Sequence, residues 1–292
     1  MAEQSFGPVV VRRRLGAELR RLRERAGLNL DQVAREMEVS PSKLSRVEGG
    51  HSPAKLWDVR NLLTLYGVED EDYRGRVERW VGESRAQGWW HPYSDASPTD
   101  LDHYISLESE AAEVRAYCSL VLQGLVQTEE YARALLVAVL PDLDPEEIEG
   151  LVRIRLGRQQ VMFRDVQRAT ISIVVDEPVL LRRVGDDSVT LEQWRHLTRL
   201  PAEVDLRVRR LDAPLHLAML GPFTVFRPRL ADVDPVVVNA ESAYYDAYWE
   251  EPDEVARFNA AFEALQQTAL SRAESVDFIQ RLIDEATSTA ER

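Results

Sequence analysis

The segment Asn29–Gly50, NLDQVAREMEVSPSKLSRVEGG, constrains the fold most, because it carries start and stop signals for two short helices only a few residues apart. Asn29 is a natural N-cap. Val33, Ala34 and Met37 then give a narrow apolar stripe, and Val39 closes the turn. The second helix has clearer punctuation: Ser40 can cap it, and Pro41 sits at the first helical position, where a missing N–H costs nothing. Leu44 and Val47 face inward before Gly49-Gly50 ends it. Ser42, Lys43, Ser45 and Arg46 are left pointing outward. These small hydrogen-bonding and cationic groups suit base edges and phosphates in a major groove about 12 Å wide.

The alternative is a plain helical hairpin with solvated polar residues, and its flanks argue against it. Leu15, Leu19 and Leu22 form a helical stripe upstream, and Leu56, Val59, Leu62, Leu63 and Tyr66 form another downstream. Together these segments predict five short helices around one core. Over about residues 12–68 the pattern resembles the lambda-repressor/Cro-like (Xre-type) helix-turn-helix regulators. The resemblance implies that Pro41, Ser42 and Arg46 face base edges while Ser40, Lys43 and Lys55 lie near phosphates, and Asn29, Gln32 and Ser45 complete the expected DNA-contact set. It also implies an ion pair between Arg23 and Glu48. Pro41 and Ser42 stand where better-known members carry a Gln-Gln pair, so base preference does not carry over.

The chain has 292 residues, too many for this small domain alone. Residues 1–60 hold 12 Lys and Arg against 8 Asp and Glu, a net of +4; the remainder holds 24 against 42, a net of −18, and the two sum to −14. The isoelectric point near 4.9 argues against nonspecific nucleic-acid binding, yet permits a specific reader whose acidic bulk lies away from the groove. Arg12, Arg13 and Arg14 read either as extra phosphate contacts or as a frayed basic arm. Val9–Val11 run straight into these arginines and no segment approaches 18 uncharged apolar residues, so neither a signal peptide nor a membrane span is expected and the location is expected to be cytoplasmic. The single cysteine, Cys118, excludes an intramolecular disulfide and is expected to pack within a helix.

The predicted organisation is a helix-turn-helix domain over 1–69, a connecting helix and aromatic linker over 70–100, and a regulatory domain over 101–292. In the linker, Trp89, Trp90 and Tyr93 read as docking aromatics or as a pocket wall. Helices are expected at 101–117, 128–140 and 145–163, with Thr128 and Asp144 as caps. Alternation then marks strands at Ile171–Val175, Val204–Val208 and Phe223–Val225, with Val236–Val238 as an inner strand. The Tyr244–Trp249 aromatics fit one helix face, and two further helices end the chain. The expected class is therefore mainly α: a five-helix lambda-repressor-like domain followed by an α+β domain with a small sheet.

The strings Leu122–Leu136 and Arg153–Gln159, with Phe223–Phe226 and Ala269–Ile279, resemble the large C-terminal domain of actinobacterial WhiJ-like regulators. That resemblance implies a developmental or antibiotic-related transcriptional regulator acting with a small acidic partner protein. No catalytic constellation stands out: His51, His91, His103, His196 and His216 lack paired metal-ligand spacing, and neither a Gly-x-Ser-x-Gly elbow nor a phosphate loop occurs. Glu108, Glu110 and Glu113 read as a solvated acidic face. The expected protein is not an enzyme and has no cofactor or metal. It binds a double-stranded operator as a homodimer, because one recognition helix reads only a few bases. Its C-terminal domain takes either a protein partner or a small molecule, with Trp89, Trp90, Tyr93, Glu108, Arg153 and Glu241 as contacts.

Overall fold

In the computed structural model, residues 8–50, 52–85, 101–163, 169–215, 221–229, 237–241 and 246–290 are described. The chain divides into two compact units, one drawn from residues 1–89 and 228–234 and the other from 90–227 and 235–292.

The first unit is helical: α1 (Pro8–Arg25), α2 (Leu30–Glu36), α3 (Pro41–Glu48), α4 (Leu56–Leu65) and α5 (Glu71–Glu83). Leu15, Leu19 and Leu22 of α1 bury against Val33 and Ala34 of α2, Leu44 of α3, and Val59, Leu62 and Leu63 of α4. The segment read as a connector is α5, whose Val77 and Val81 enter that same core. Its apolar spacing serves the domain rather than a linker. The basic run is likewise no frayed arm, because it lies within α1: Arg13 is buried and the Arg14 guanidinium sits 4.2 Å from the Trp80 ring centroid.

The second unit runs α6 (Leu101–Ser109), β1 (Ala111–Cys118), α7 (Glu129–Val139), α8 (Pro145–Met162), β2 (Thr170–Asp176), α9 (Glu177–Leu181), α10 (Asp187–Leu197), β3 (Val204–Arg209), β4 (Phe223–Pro228), β5 (Val237–Glu241), β6 (Asp246–Trp249), α11 (Pro252–Thr268) and α12 (Arg272–Ala290). One mixed sheet has the order β3-β2-β1-β4-β5-β6. β1, β2 and β3 are parallel, with Val114 opposite Ile171 and Ile171 opposite Val204, whereas β5 is antiparallel to both β4 and β6.

Both sheet faces are covered, which is why the parallel strands are apolar on both sides. On one face Val114, Ala116, Ile171, Ile173 and Leu206 pack with Tyr131 of α7, Leu197 of α10 and Ile279 of α12. On the other, Tyr117, Val174, Phe223 and Val225 meet Val255, Phe262 and Leu265 of α11. α7 and α8 begin on side-chain caps: Thr128 Oγ1 accepts from Tyr131 N, and Asp144 and Glu147 form a reciprocal capping box.

Two local readings are corrected. The helix expected over 101–117 stops at Ser109, and the remainder is the interior strand β1, with Cys118 in it rather than in a helix. Burial between β2 and β4 overrides the helix preference of its Ala, Glu and Arg residues. The aromatic run ending at Trp249 is strand β6 over Asp246–Trp249 rather than a helix face, paired with β5 through Asn239 opposite Tyr248. Tyr244 and Tyr245 lie outside the described residues, as does Val236.

Candidate nucleic-acid interface

The helix-turn-helix is built by its caps. Asn29 Oδ1 accepts from Gln32 N at 2.9 Å and Gln32 Oε1 accepts from Asn29 N at 2.8 Å, so both side chains are engaged in starting α2. The turn between the helices places Glu38 at φ 53°, a left-handed conformation uncommon outside glycine. Ser40 Oγ then accepts from Lys43 N at 3.1 Å and Pro41 opens α3. Leu44 and Glu48 are buried, whereas Pro41, Ser42, Lys43, Ser45 and Arg46 are exposed on the other side.

The inner side of α3 is fixed to α1. Arg23 Nε and Nη2 donate to the two Glu48 oxygens at 2.8 and 2.9 Å, with both residues buried, and Arg23 Nη1 also donates to Leu28 O at 3.0 Å. Burial first, and the nearby Glu48 carboxylate second, hold the Tyr66 phenol well above its ordinary value. The backbones approach closely at Gly16, where an added Cβ would lie 2.6 Å from Val47 O and also press on Glu48 O. Gly50, at φ 72°, ends α3 against the backbone of Arg13. α3 is thus held by one face while the other meets solvent.

Around α3, Lys43 Nζ lies 3.6 Å from Asp58 Oδ2, and Lys55 is exposed at the start of α4. Beside it is Trp57, 70% exposed, which the sequence reading passed over. Its signal was there: Leu56, Val59, Leu62 and Leu63 define the inward stripe of α4, and Trp57 falls off it. The nearby acids Asp31, Glu36 and Glu38 are also exposed.

Of the C-terminal candidates, the side chains of Glu108 and Arg153 are described, and they have different surroundings. Trp89, Trp90 and Tyr93 lie outside the described residues, as does the Glu241 side chain, although its backbone is in β5. Glu108 is only 1% exposed and holds Arg158 through two 2.8 Å hydrogen bonds, while Arg153 is exposed elsewhere on α8. The acidic face expected from Glu108, Glu110 and Glu113 is therefore absent. Glu110 is buried, and Glu113 accepts from Arg115 at 2.7 Å and Arg227 at 2.8 Å.

Residues 14–75 match a family described as a helix-turn-helix domain, the type of fold carried by DNA-binding regulators. Residues 101–281, more than half of the chain, match the family described as Domain of unknown function (DUF5753). The chain belongs to the DUF5753 family. The DUF5753 region spans α6 to within α12 and so includes the whole sheet. No curated protein and no solved structure matches the chain. Among the described residues, no helix is long and apolar enough to cross a membrane.

Proposed function

We propose that this chain is a sequence-specific transcriptional regulator that reads double-stranded DNA with α3. The observation that carries this reading is the asymmetry of that helix: one side is locked by Arg23–Glu48 and Gly16, and the other presents Ser42, Lys43, Ser45 and Arg46 to solvent. Arg46, Ser42 and Pro41 face base edges; Lys43, Lys55 and the Ser40 hydroxyl lie toward phosphates. Asn29 and Gln32 contribute by orienting α2, and Trp57 packs against the sugar-phosphate backbone. The protein acts in the cytoplasm as a homodimer over half-sites about 34 Å apart.

The resemblance to WhiJ-like regulators supports control of development or secondary metabolism through a small acidic protein that docks on the second unit. A second reading, in which that unit senses a small molecule, is favoured by a cleft described below. The function is non-enzymatic in both.

An operator selected from random duplexes, compared with its scrambled version, tests the proposal. Arg46→Ala should lose about 1–3 kcal/mol of discrimination between the two, the worth of one specific base contact. Equal loss on both sequences would remove Arg46 from base reading. Failure of the intact protein to select any sequence would end the proposal.

A further inference from the structure

The second unit contains a cleft of about 440 Å³ that no sequence motif announces. Tyr117 and Cys118, at the carboxyl end of β1, form its floor, and Phe223 and Thr224, at the start of β4, form one side. This is the place where the sheet reverses its order. From β1 the chain builds β2 and β3 outward in one direction, then returns to lay β4, β5 and β6 on the other side. In open α/β sheets, ligands bind in the crevice outside the carboxyl ends of strands at such a reversal, and here the carboxyl end is that of β1.

Among the described residues that line the cleft, the charged ones are Arg155 and Arg158, and none is a carboxylate. That is notable in a chain whose residues after position 60 carry a net of −18. Both guanidiniums converge on Gly124. A side-chain carbon at that position would lie 3.5 Å from Arg155 Nε and 3.6 Å from Arg158 Nη1.

Each arginine is positioned by other groups. Arg158 is held by Glu108 from behind and lies 4.9 Å from the Tyr104 ring centroid, while Arg155 Nη1 donates to Gln127 Oε1 at 2.7 Å. Gln159 Nε2 ties the 124–127 turn to α8 through Gly124 O and Gln127 O, both at 2.8 Å. Away from the arginines the wall is aliphatic, through Leu135, Leu136, Leu151 and Ile154, and it runs out to Leu120 and Val139, which are 52% and 56% exposed.

The geometry points to a binding site for a small amphipathic carboxylate. The acid group pairs with Arg155 and Arg158, and the hydrocarbon body lies along the aliphatic wall toward Leu120 and Val139. A planar carboxylate matches guanidinium donors in a way that a neutral head group does not. The volume falls within the range of small-molecule pockets, about 300–1,000 Å³. This deepens the sensor reading, and its test uses no DNA, so its failure and the failure of DNA recognition are separate results.

Calorimetric titration of the full-length protein with decanoate, 1-decanol and acetate decides the matter. Decanoate should bind saturably at one site per chain, with the alcohol and acetate each weaker by about tenfold or more, as loss of a charge-assisted hydrogen bond or of the apolar body requires. Arg155→Gln should weaken decanoate by about the same factor. Leu120→Asp, at the exposed lip where the fold tolerates a charge, should weaken it as well. Arg183→Gln, which removes a charge at an 80% exposed side chain outside the cleft, should leave binding unchanged. No saturable binding would overturn the inference, as would decanol binding as tightly as decanoate, or Leu120→Asp binding like the parent.

Discussion

Arg23 in α1 and Glu48 in α3 are 25 residues apart in sequence and meet through two parallel hydrogen bonds in the buried core of the first unit. Removing one member leaves the other charge buried without its partner, which is the costly case. Glu48→Gln or Arg23→Met should each lower stability by about 3–5 kcal/mol in urea unfolding. The double replacement Arg23→Met with Glu48→Gln should cost less than the sum of the two. A strictly additive double variant would show that the two charges do not depend on each other.

At Gly16 the usual expectation inverts. In an open helix alanine is favoured over glycine by roughly 1 kcal/mol. Here the new methyl would press on the carbonyls of Val47 and Glu48, which are backbone atoms and cannot rotate away. Gly16→Ala should therefore destabilise by about 1–3 kcal/mol, the typical cost of overpacking. A melting temperature at or above that of the parent would refute the close approach of α1 and α3.

Lys43 is expected to contact phosphate rather than bases, so Lys43→Ala should weaken selected and scrambled DNA alike. It should also flatten the salt dependence of binding by about one unit. Asp58, 3.6 Å from Lys43, opposes the approach of phosphates. Asp58→Asn should raise affinity for both duplexes, as read by fluorescence anisotropy across a salt series. An unchanged slope for Lys43→Ala would exclude the lysine from the interface.

In the second unit, burial lowers the His196 imidazole below its ordinary value of 6.5. Unfolding restores that value, so the unfolded chain takes up the proton first as pH falls. The associated stability is complete above pH 6.5 and is lost as pH drops from there to the lowered native value. His196→Gln should remove this part of the acid sensitivity. Urea midpoints at pH 7.5 and 5.5 that shift equally in both proteins would show that His196 plays no such role.

The helix-turn-helix was legible because its determinants are local: Asn29 with Gln32, Ser40 with Pro41, and the terminal Gly50 all lie within a turn of what they cap. The strands at Ile171, Val204 and Phe223 showed through their alternation. β1 did not, because AAEVRAYC is composed largely of helix formers, and what makes it a strand is β2 on one side and β4 on the other. β6 was missed because the spacing of Tyr248 and Trp249 fits a helix face as well as a strand. The cleft was invisible for a related reason. Gln127, Arg155 and Phe223 are separated by long stretches of chain, and they come together only once the sheet has its order.

That strand order also has a consequence for how the protein is made. β1 gains its first neighbour when β2 is complete at Asp176, but the opposite seam stays open until synthesis passes Phe223. A nascent chain of intermediate length presents an unpaired strand edge in the middle of its future sheet, the condition under which strands pair with foreign chains. Chains cut short between these two points are the ones that will aggregate, and the ribosome-bound form is where a holding chaperone has most to protect.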